Sequence, residues 1–350
     1  MSQRHICLLG DATSPHIQRW ANEMIGRGYR VSLITARPNA IPGVSQRVLS
    51  PIRRTTDWLF RVGGARRYMR ELTPDIVHAH YLTSYGYLAA RCARHPLVMT
   101  AWGSDLLVTP HTRPWMRWLT GWVLRRADLI TGDSASLVEA ARLYSPSAPV
   151  HEIHWGVDRM RFAPTPWEHK EGLQIISLRA WEPNYHIGTL IQAFALLRQI
   201  LPDAPLALHL LGGGSLESTL RAQVQTLGLT RNVTFHGHLD DAGMANVLAR
   251  CKVSVSIPES DATSVAMLES MACGLAVVAT DLDANRQWIS SDLLIPAGNA
   301  TALAEVLARL MKDDVGMQQV GLQNAERIAL SGDRKTQMDH MDRLYRGLLQ

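Results

Sequence analysis

One rhythm constrains this chain more than any other feature: short apolar runs alternate with amphipathic helical stretches from end to end. In the first half the runs 5–10, 30–35, 75–80, 96–102, 128–132 and 150–156 are rich in Val, Ile and Leu and lack strict polar alternation. A strand with one wet face would alternate with period two, so these runs read as strands buried on both faces. Between them, 15–28, 84–94 and 134–145 read as helices. Pro15 near the first turn and Gly28 after the last mark the ends of the first one. Strand, helix and strand in repeated succession require parallel pairing with right-handed crossovers. The result is a doubly wound α/β sheet.

The rhythm breaks at 162–172 (FAPTPWEHKEG), where two prolines and charge replace periodicity. This segment is expected to end the first domain at 162 and to supply an interdomain linker at 163–172. The pattern then restarts, with strands expected at 173–179, 206–211, 233–236, 253–258, 275–280 and 293–296. Helices are expected at 187–201, 216–227 and 300–312. Two Rossmann-like domains follow, 1–162 and 173–332, predicted to face each other across a cleft. Ligands in such sheets bind beyond the carboxyl ends of the strands. The last helical pattern, 334–349, has no strand after it, and the segment 333–350 is predicted to pack back on the first domain. A length of 350 residues fits two domains.

Composition narrows the class. A chain 46% hydrophobic and 19% charged is an ordered globular protein. No apolar run approaches the ~20 residues of a membrane-spanning helix, and the first apolar run is too short and too early for a signal peptide. Cys7, Cys92, Cys251 and Cys273 form no CxxC pair, which predicts reduced thiols and a cytoplasmic address. The net charge of +5 is unevenly spread: Arg47, Arg53, Arg54, Arg61, Arg66, Arg67 and Arg70 are interrupted by one acid, Asp57. That stretch is either a solvated mobile loop or a surface for an anionic partner. A second stretch, 113–126, places Trp115, Trp118 and Trp122 on one helical face among arginines. The simpler reading makes that face core; the alternative is an interfacial helix. Together the two stretches predict peripheral contact with an anionic membrane or a lipid-linked acceptor. No nucleic-acid partner is expected.

The most specific segment is 258–278, PESDATSVAMLESMACGLAVV. A strand ends at Pro258, a polar loop follows, and a helix is expected to start near Thr263 or Ser264. Free N–H groups at such a start form an anion site suited to a diphosphate. Asp261 precedes that site and Glu269 lies more than one turn inside the helix, so both carboxylates can face one ligand. A carboxylate accepts two hydrogen bonds at once and so can clamp vicinal hydroxyls. Read alone, Asp261 could equally be a cap and Glu269 a surface charge.

This segment resembles the E-x7-E signature of retaining glycosyltransferases of the GT-B fold, family 4, whose block reads PS..EGFGL..LEAMA.G.PV. Here the first acid is Asp261 and the second Glu269. The resemblance implies that Asp261 holds donor-sugar hydroxyls and Glu269 the ribose, while Ser264 and the backbone N–H of Val265 take the diphosphate. Gly156-Val-Asp158 with Phe162 is similar to the family's NGVD...F hinge, and Leu190-Ile-Gln-Ala-Phe194 to its LI.AF helix. Leu211-Gly-Gly-Gly214 and Val233-Thr-Phe-His-Gly237 are similar to its G.G and V.F.G strands. The base is then expected near Gly237, His238 and Leu239. The matches extend over nearly the whole chain, in order.

Departures from the family pattern are informative. Ser177-Leu-Arg179 stands for GRL, so Arg179 keeps the phosphate arginine, while the usual Lys falls on Tyr185 and the following Gly on His186. The leaving phosphate would thus meet one permanent cation, with bidentate reach, and a neutral donor. The T.HG.D block appears as Thr100-Ala-Trp102-Gly-Ser-Asp105, with Trp102 where His is common. His80, at a strand end, and His16, at the first strand-to-helix turn, are the remaining imidazoles on the acceptor side, with Trp102 and Asp105 beside them. Asp261, Arg179 and His80 are the expected catalytic groups. Asp281-Leu-Asp283 spells a metal-binding DxD but follows the wrong strand, so it reads as a loop and helix cap, and no metal or other cofactor is expected. The function expected is retaining transfer of a sugar from a nucleoside diphosphate donor, UDP-linked, to a glycan, lipid-linked or small-molecule acceptor. The alternatives are a nucleotide-sugar epimerase on a similar double plan and an inactive nucleotide-sugar binding protein. A dinucleotide oxidoreductase is disfavoured because no GxGxxG follows the first strand.

Overall fold

The computed structural model describes residues 3–92, 96–144 and 147–350. Among these, thirteen strands form two all-parallel sheets. The first contains β1 (His5–Leu9), β2 (Arg30–Thr35), β3 (Ser45–Val48), β4 (Ile76–His80), β5 (Leu97–Ala101), β6 (Leu129–Gly132) and β7 (Val150–Glu152), in the order β3-β2-β1-β4-β5-β6-β7. The second contains β8 (Leu173–Ser177), β9 (Leu206–Leu211), β10 (Val233–Gly237), β11 (Val253–Ser256), β12 (Ala276–Thr280) and β13 (Leu294–Ile295), in the order β10-β9-β8-β11-β12-β13. Each sheet reverses its strand order once, beside β1 in the first and β8 in the second. This is the doubly wound plan expected from the alternation. β1, β4, β5 and β12 are buried at every residue, as strands covered on both faces must be.

β3 and the helix after it depart from the expectation. The Arg47–Arg70 stretch is no mobile loop: it contains the edge strand β3, then a helix at Asp57–Leu72. β3 has a polar sequence, SQRV, because an edge strand keeps one side in water and needs no apolar run. The Asp57 carboxylate accepts the backbone N–H groups of Arg53 and Arg54 at 2.8 and 2.9 Å, which orders the turn before the helix. The helix expected at 84–94 begins as one π-helical turn, Leu82–Gly86, before Tyr87–Cys92. Its expected end at Arg94, like that of 134–145 at Ser145, lies outside the described residues.

The tryptophan-rich helix is Pro114–Leu124, and the core reading holds for half-buried Trp122, which packs against the core, but not for Trp115 and Trp118. Trp115 and Trp118 are 51% and 64% exposed. Met116, Thr120, Gly121, Val123 and Leu124 line the packed side instead. Helix Asp314–Arg327 was not anticipated; its start is capped by Asp313, whose carboxylate accepts from Gly316 N at 2.8 Å.

The contacts divide the chain into two units, Met1–Trp155 with Met338–Gln350, and Gly156–Gln337. The segment 163–172 packs with the second unit. Phe162 before it is 1% exposed within that unit's core, and Lys170 Nζ donates to the carbonyl of Cys251 at 2.9 Å. Gly156 has φ +75°, and a Cβ there would lie 2.7 Å from the Arg334 Cα. Only glycine fits where the 156–158 and 332–334 passages run side by side.

In the first unit the seven-stranded sheet has two unlike faces. One is aliphatic: Cys7, Leu9, Val77, Ala79, Met99 and Ile130 join the helices that follow β3, β4, β5 and β6. The other mixes aliphatic side chains such as Ile6, Leu8 and Val98 with polar and aromatic ones, and the C-terminal helix Arg334–Gly347 packs there through a buried relay. Trp20 Nε1 donates to Tyr345 Oη at 3.1 Å, and Tyr345 Oη lies 2.5 Å from His78 Nδ1. His78 Nε2 lies 2.6 Å from Thr100 Oγ1, itself 2.6 Å from Thr131 Oγ1. An indole N–H can only donate, so Tyr345 Oη accepts from Trp20, and the arrangement that leaves no buried proton without an acceptor sends the Tyr345 proton to His78 Nδ1 and the His78 Nε2 proton to Thr100. Every polar atom in this interior chain then has a partner, which burial demands. No helix among the described residues is long and apolar enough to cross a membrane.

Candidate functional site

In the second unit β11 runs out through Pro258 into a polar loop, and a helix follows at Val265–Ala272. Ser264 is its N-cap, with Oγ accepting from Met267 N at 3.3 Å. That bond takes the N–H of Met267, while the N–H groups of Val265 and Ala266 precede the first intrahelical bond.

Arg179, just past the end of β8, converges on the same loop and is only 9% exposed. Its Nη2 donates to Asp261 Oδ2 at 2.5 Å and its Nη1 donates to Ser264 Oγ. The guanidinium lies 4.4 Å from the centre of the Tyr185 ring. Tyr185, named as a neutral hydrogen-bond donor, thus serves as a platform under the cation. Arg179 Nε is buried without a hydrogen-bond partner among the described residues. A guanidinium has five N–H donors, of which two are directed at these protein oxygens. Burial raises the Asp261 carboxyl above the usual carboxylate range, while the charge and hydrogen bond of Arg179 pull it down. Glu269, more than one turn further along the helix, is 3% exposed.

Glycines admit this convergence. Gly212 ends β9 with φ +136°, and a Cβ there would lie 2.6 Å from the Arg179 carbonyl oxygen. A Cβ on Gly213 would lie 2.7 Å from His238 Nε2. The Gly212–Gly214 run is therefore what lets the ends of β8 and β10 crowd together. His238 and Leu239 lie exposed beyond Gly237, which has φ +70°. His186 does not join Arg179: its Nε2 pairs with Glu259 at 2.9 Å. It adopts φ +50°, ψ +35°, the left-handed region where glycine is at ease. Glu259 was not named from sequence, although it stands next to the signature. Asp281 and Asp283 are both held by Arg286, at 2.7 Å each.

The first unit gathers the other named residues. Trp102 Nε1 donates to His80 Nδ1 at 3.2 Å, and the Trp102 ring stacks on His16 at 4.8 Å. Because the indole can only donate, the proton of neutral His80 resides on Nε2. That nitrogen is buried without a hydrogen-bond partner among the described residues, as is His16 Nδ1. Burial pushes the His80 imidazole down to about 3, and lowers His16 as well. In this state His80 is a neutral donor. Asp105 accepts Leu82 N at 2.8 Å and Trp102 N at 3.0 Å. It pins the turn after β4 to the turn after β5 and so positions Trp102. Burial raises its carboxyl to about 6 against these two bonds. Trp20, edge-on to His80 at 5.0 Å, completes the cluster. Nothing in its local sequence marks it, since it looks like any buried helix residue.

Known proteins resemble the chain in both units. A family model described as glycosyl transferase 4-like matches residues 5–134, and one described as glycosyl transferases group 1 matches residues 174–313. N-acetyl-alpha-D-glucosaminyl L-malate synthase of Bacillus anthracis is 25% identical over 257 residues, covering 69% of this chain and 66% of that protein. Phosphatidyl-myo-inositol mannosyltransferase of Mycobacterium leprae is 28% identical over 267 residues, 71% of this chain and 67% of that protein. The aligned part thus spans about two thirds of either relative. Among solved structures, sucrose-phosphate synthase from Thermosynechococcus elongatus superposes with a TM-score of 0.81 at 19% identity over 99% of each chain. Anabaena HepE in complex with UDP superposes with 0.80 at 17% identity, over 99% of this chain and 100% of that one. At such identities the likeness is one of fold, two Rossmann-like domains of the GT-B type. With one family match on each unit, together spanning most of the sequence, the chain belongs to the group 1, family 4-like glycosyltransferases.

Proposed function

We propose that the chain transfers a sugar, with retention of configuration, from a nucleoside diphosphate sugar to an acceptor bound by its first unit. The observation that carries the reading is the convergence of Arg179, Asp261 and Ser264 at the start of the Val265–Ala272 helix. A permanent cation, a hydroxyl and helix-start N–H groups at one point suit a leaving diphosphate, whose charge grows as the glycosidic bond breaks. Asp261 would accept from hydroxyls of the donor sugar, and buried Glu269 from those of the ribose. No side chain is assigned as a nucleophile. The rate then comes from holding donor and acceptor in register and from stabilising the departing diphosphate.

UDP is favoured as the nucleotide because HepE, similar in fold, has been solved with it. The base would lie against Gly237, His238 and Leu239. On the acceptor side, His80 would donate from Nε2, with Trp102 holding its tautomer and His16 stacked alongside. The acceptor is a lipid-linked or a small hydroxylated molecule, the two classes after which relatives are named. Four free thiols fit a reducing cytoplasm. The reading gives no role to a metal.

Incubation with labelled sugar nucleotides, with and without a chelator, tests all of this. Transfer or slow donor hydrolysis that survives chelation is expected, along with loss of donor turnover and donor binding in Asp261→Ala and Glu269→Ala proteins that still fold. Epimerised donor would replace the reading with the epimerase alternative. Binding without turnover, given a range of acceptors, would make the chain a nucleotide-sugar binding protein.

A further inference from the structure

Two helices of the first unit present an unusual surface. Asp57–Leu72 and Pro114–Leu124 both cover the aliphatic face of the seven-stranded sheet, through Ala65 and Met69 and through Val123 and Leu124. They flank the same connecting segment: Trp58 packs edge-on against Tyr85 at 4.8 Å, and Trp122 lies by Tyr87 at 6.1 Å. They therefore form one outer layer. Their outward sides are not the polar surface that such a layer ordinarily shows. Leu59 and Phe60 are 57% and 75% exposed, and Trp115 and Trp118 are 51% and 64% exposed. An exposed apolar pair on each of two helices covering one face of the sheet suits an interaction surface.

The charges around them share one sign. Arg53, Arg54, Arg66 and Arg67 surround the first helix, and Arg113 and Arg117 bracket Trp115, all of them exposed. No acid occurs between Asp105 and Asp128. Beside the first helix, Asp57 is engaged by backbone N–H groups, and Glu71 lies between Arg47 and Arg67 at 3.8 and 3.6 Å. The surface is thus complementary to a sheet of negative charge with an apolar interior close beneath it. Indoles and arginines are the side chains that combine an apolar body with a polar tip, as the headgroup level of a bilayer requires.

We infer that this layer of the first unit docks on an anionic lipid surface, with Leu59, Phe60, Trp115 and Trp118 entering the headgroup region and the arginines engaging lipid phosphates. The inference goes beyond the transfer reading and does not depend on it.

Cosedimentation of the full chain with phosphatidylcholine vesicles, with and without phosphatidylglycerol, tests it. Each engaged arginine should multiply partitioning about fivefold, so the anionic vesicles should win by well over about tenfold at low salt. Raised salt should erode that advantage. Trp118→Ser with Trp115→Ser, and separately Arg53→Gln with Arg54→Gln, Arg66→Gln and Arg67→Gln, should each reduce binding several-fold while UDP binding is kept. UDP binding is scored by itself, so failure of the transfer reading would be seen apart from failure of docking. In the unaltered protein, tryptophan fluorescence should shift to the blue on anionic vesicles and be quenched by brominated acyl chains. That readout decides the matter even if a variant fails to fold. No binding, equal binding to both vesicle types, absence of quenching, or folded variants that bind like the parent would each overturn the inference. A dimer that dissolves in the tryptophan variants, without vesicle binding, would give the layer to a second copy of the chain and also overturn it.

Discussion

Replacing Arg179 by alanine probes the proposed chemistry most directly. The side chain donates to Asp261 at 2.5 Å, donates to Ser264, and lies over the Tyr185 ring at 4.4 Å. Its loss removes the one permanent cation at this point. A preorganised donor to a developing anion contributes about 2–4 kcal/mol of transition-state stabilisation. Arg179→Ala should therefore lower kcat/KM by roughly 30- to 1,000-fold. Tyr185→Phe keeps the ring under the guanidinium and should cost far less. A second effect separates charge loss from misfolding. Burial raises the Asp261 carboxyl and Arg179 opposes that rise, so without Arg179 the carboxyl should rise further. If ionised Asp261 holds the donor, activity falls as pH drops through its pKa, and the acid limb of the profile should move to higher pH in Arg179→Ala. Initial rates across pH, with donor binding by calorimetry and folding by circular dichroism, supply each quantity. Equal losses in the two variants would refute the assignment of phosphate charge to Arg179. An unmoved acid limb in a folded, weakened Arg179→Ala enzyme would refute its coupling to Asp261.

Tyr345→Phe should leave Trp20 Nε1 and His78 Nδ1 without their shared partner; at ~1–3 kcal/mol per unsatisfied buried group the cost should be about 2–6 kcal/mol. Urea unfolding followed by tryptophan fluorescence measures it, and an unchanged first-unit transition would refute the relay. Acid should also weaken the first unit. His78 and His80 are held neutral by burial, His80 down to about 3, so below about pH 6.5 the unfolded chain takes up protons that the folded one refuses. Each such group costs about 1.4 kcal/mol per pH unit. Asp105, raised to about 6, titrates with the opposite sign and protonates first in the folded state. Two histidines against one carboxyl leave a net loss as pH falls, reduced in a folded His80→Gln variant. A melting temperature flat from neutrality to about pH 5 would contradict this balance.

Much of the architecture was legible because strands buried on both faces carry a strong local signal. Every strand of the doubly wound sheets except β3 lies within or against an apolar run visible in the sequence. β3 was hidden because an edge strand owes its pairing to Leu33 and Ile34 of β2, its neighbour in register, and not to its own side chains. Helix periodicity was an equally good guide to existence and a poor one to orientation. Trp115, Trp118 and Trp122 share a face at helical spacing, yet only Trp122 packs against the core, while Met116, Thr120, Gly121, Val123 and Leu124 are the buried side chains.

The same division runs through the site. Spacing alone turned Asp261 and Glu269 toward one ligand at a helix start, and the family resemblance added Ser264 and, past the end of another strand, Arg179. Tertiary structure alone set the contacts each residue makes. The Tyr185 ring lies under the Arg179 guanidinium, and His186 pairs with Glu259. The tautomer of His80 depends on an indole 22 residues away. Local sequence governs backbone conformation and burial, which depend on near neighbours. Protonation, hydrogen-bond direction and the exposed face of a helix depend on atoms that the chain brings together only when it folds.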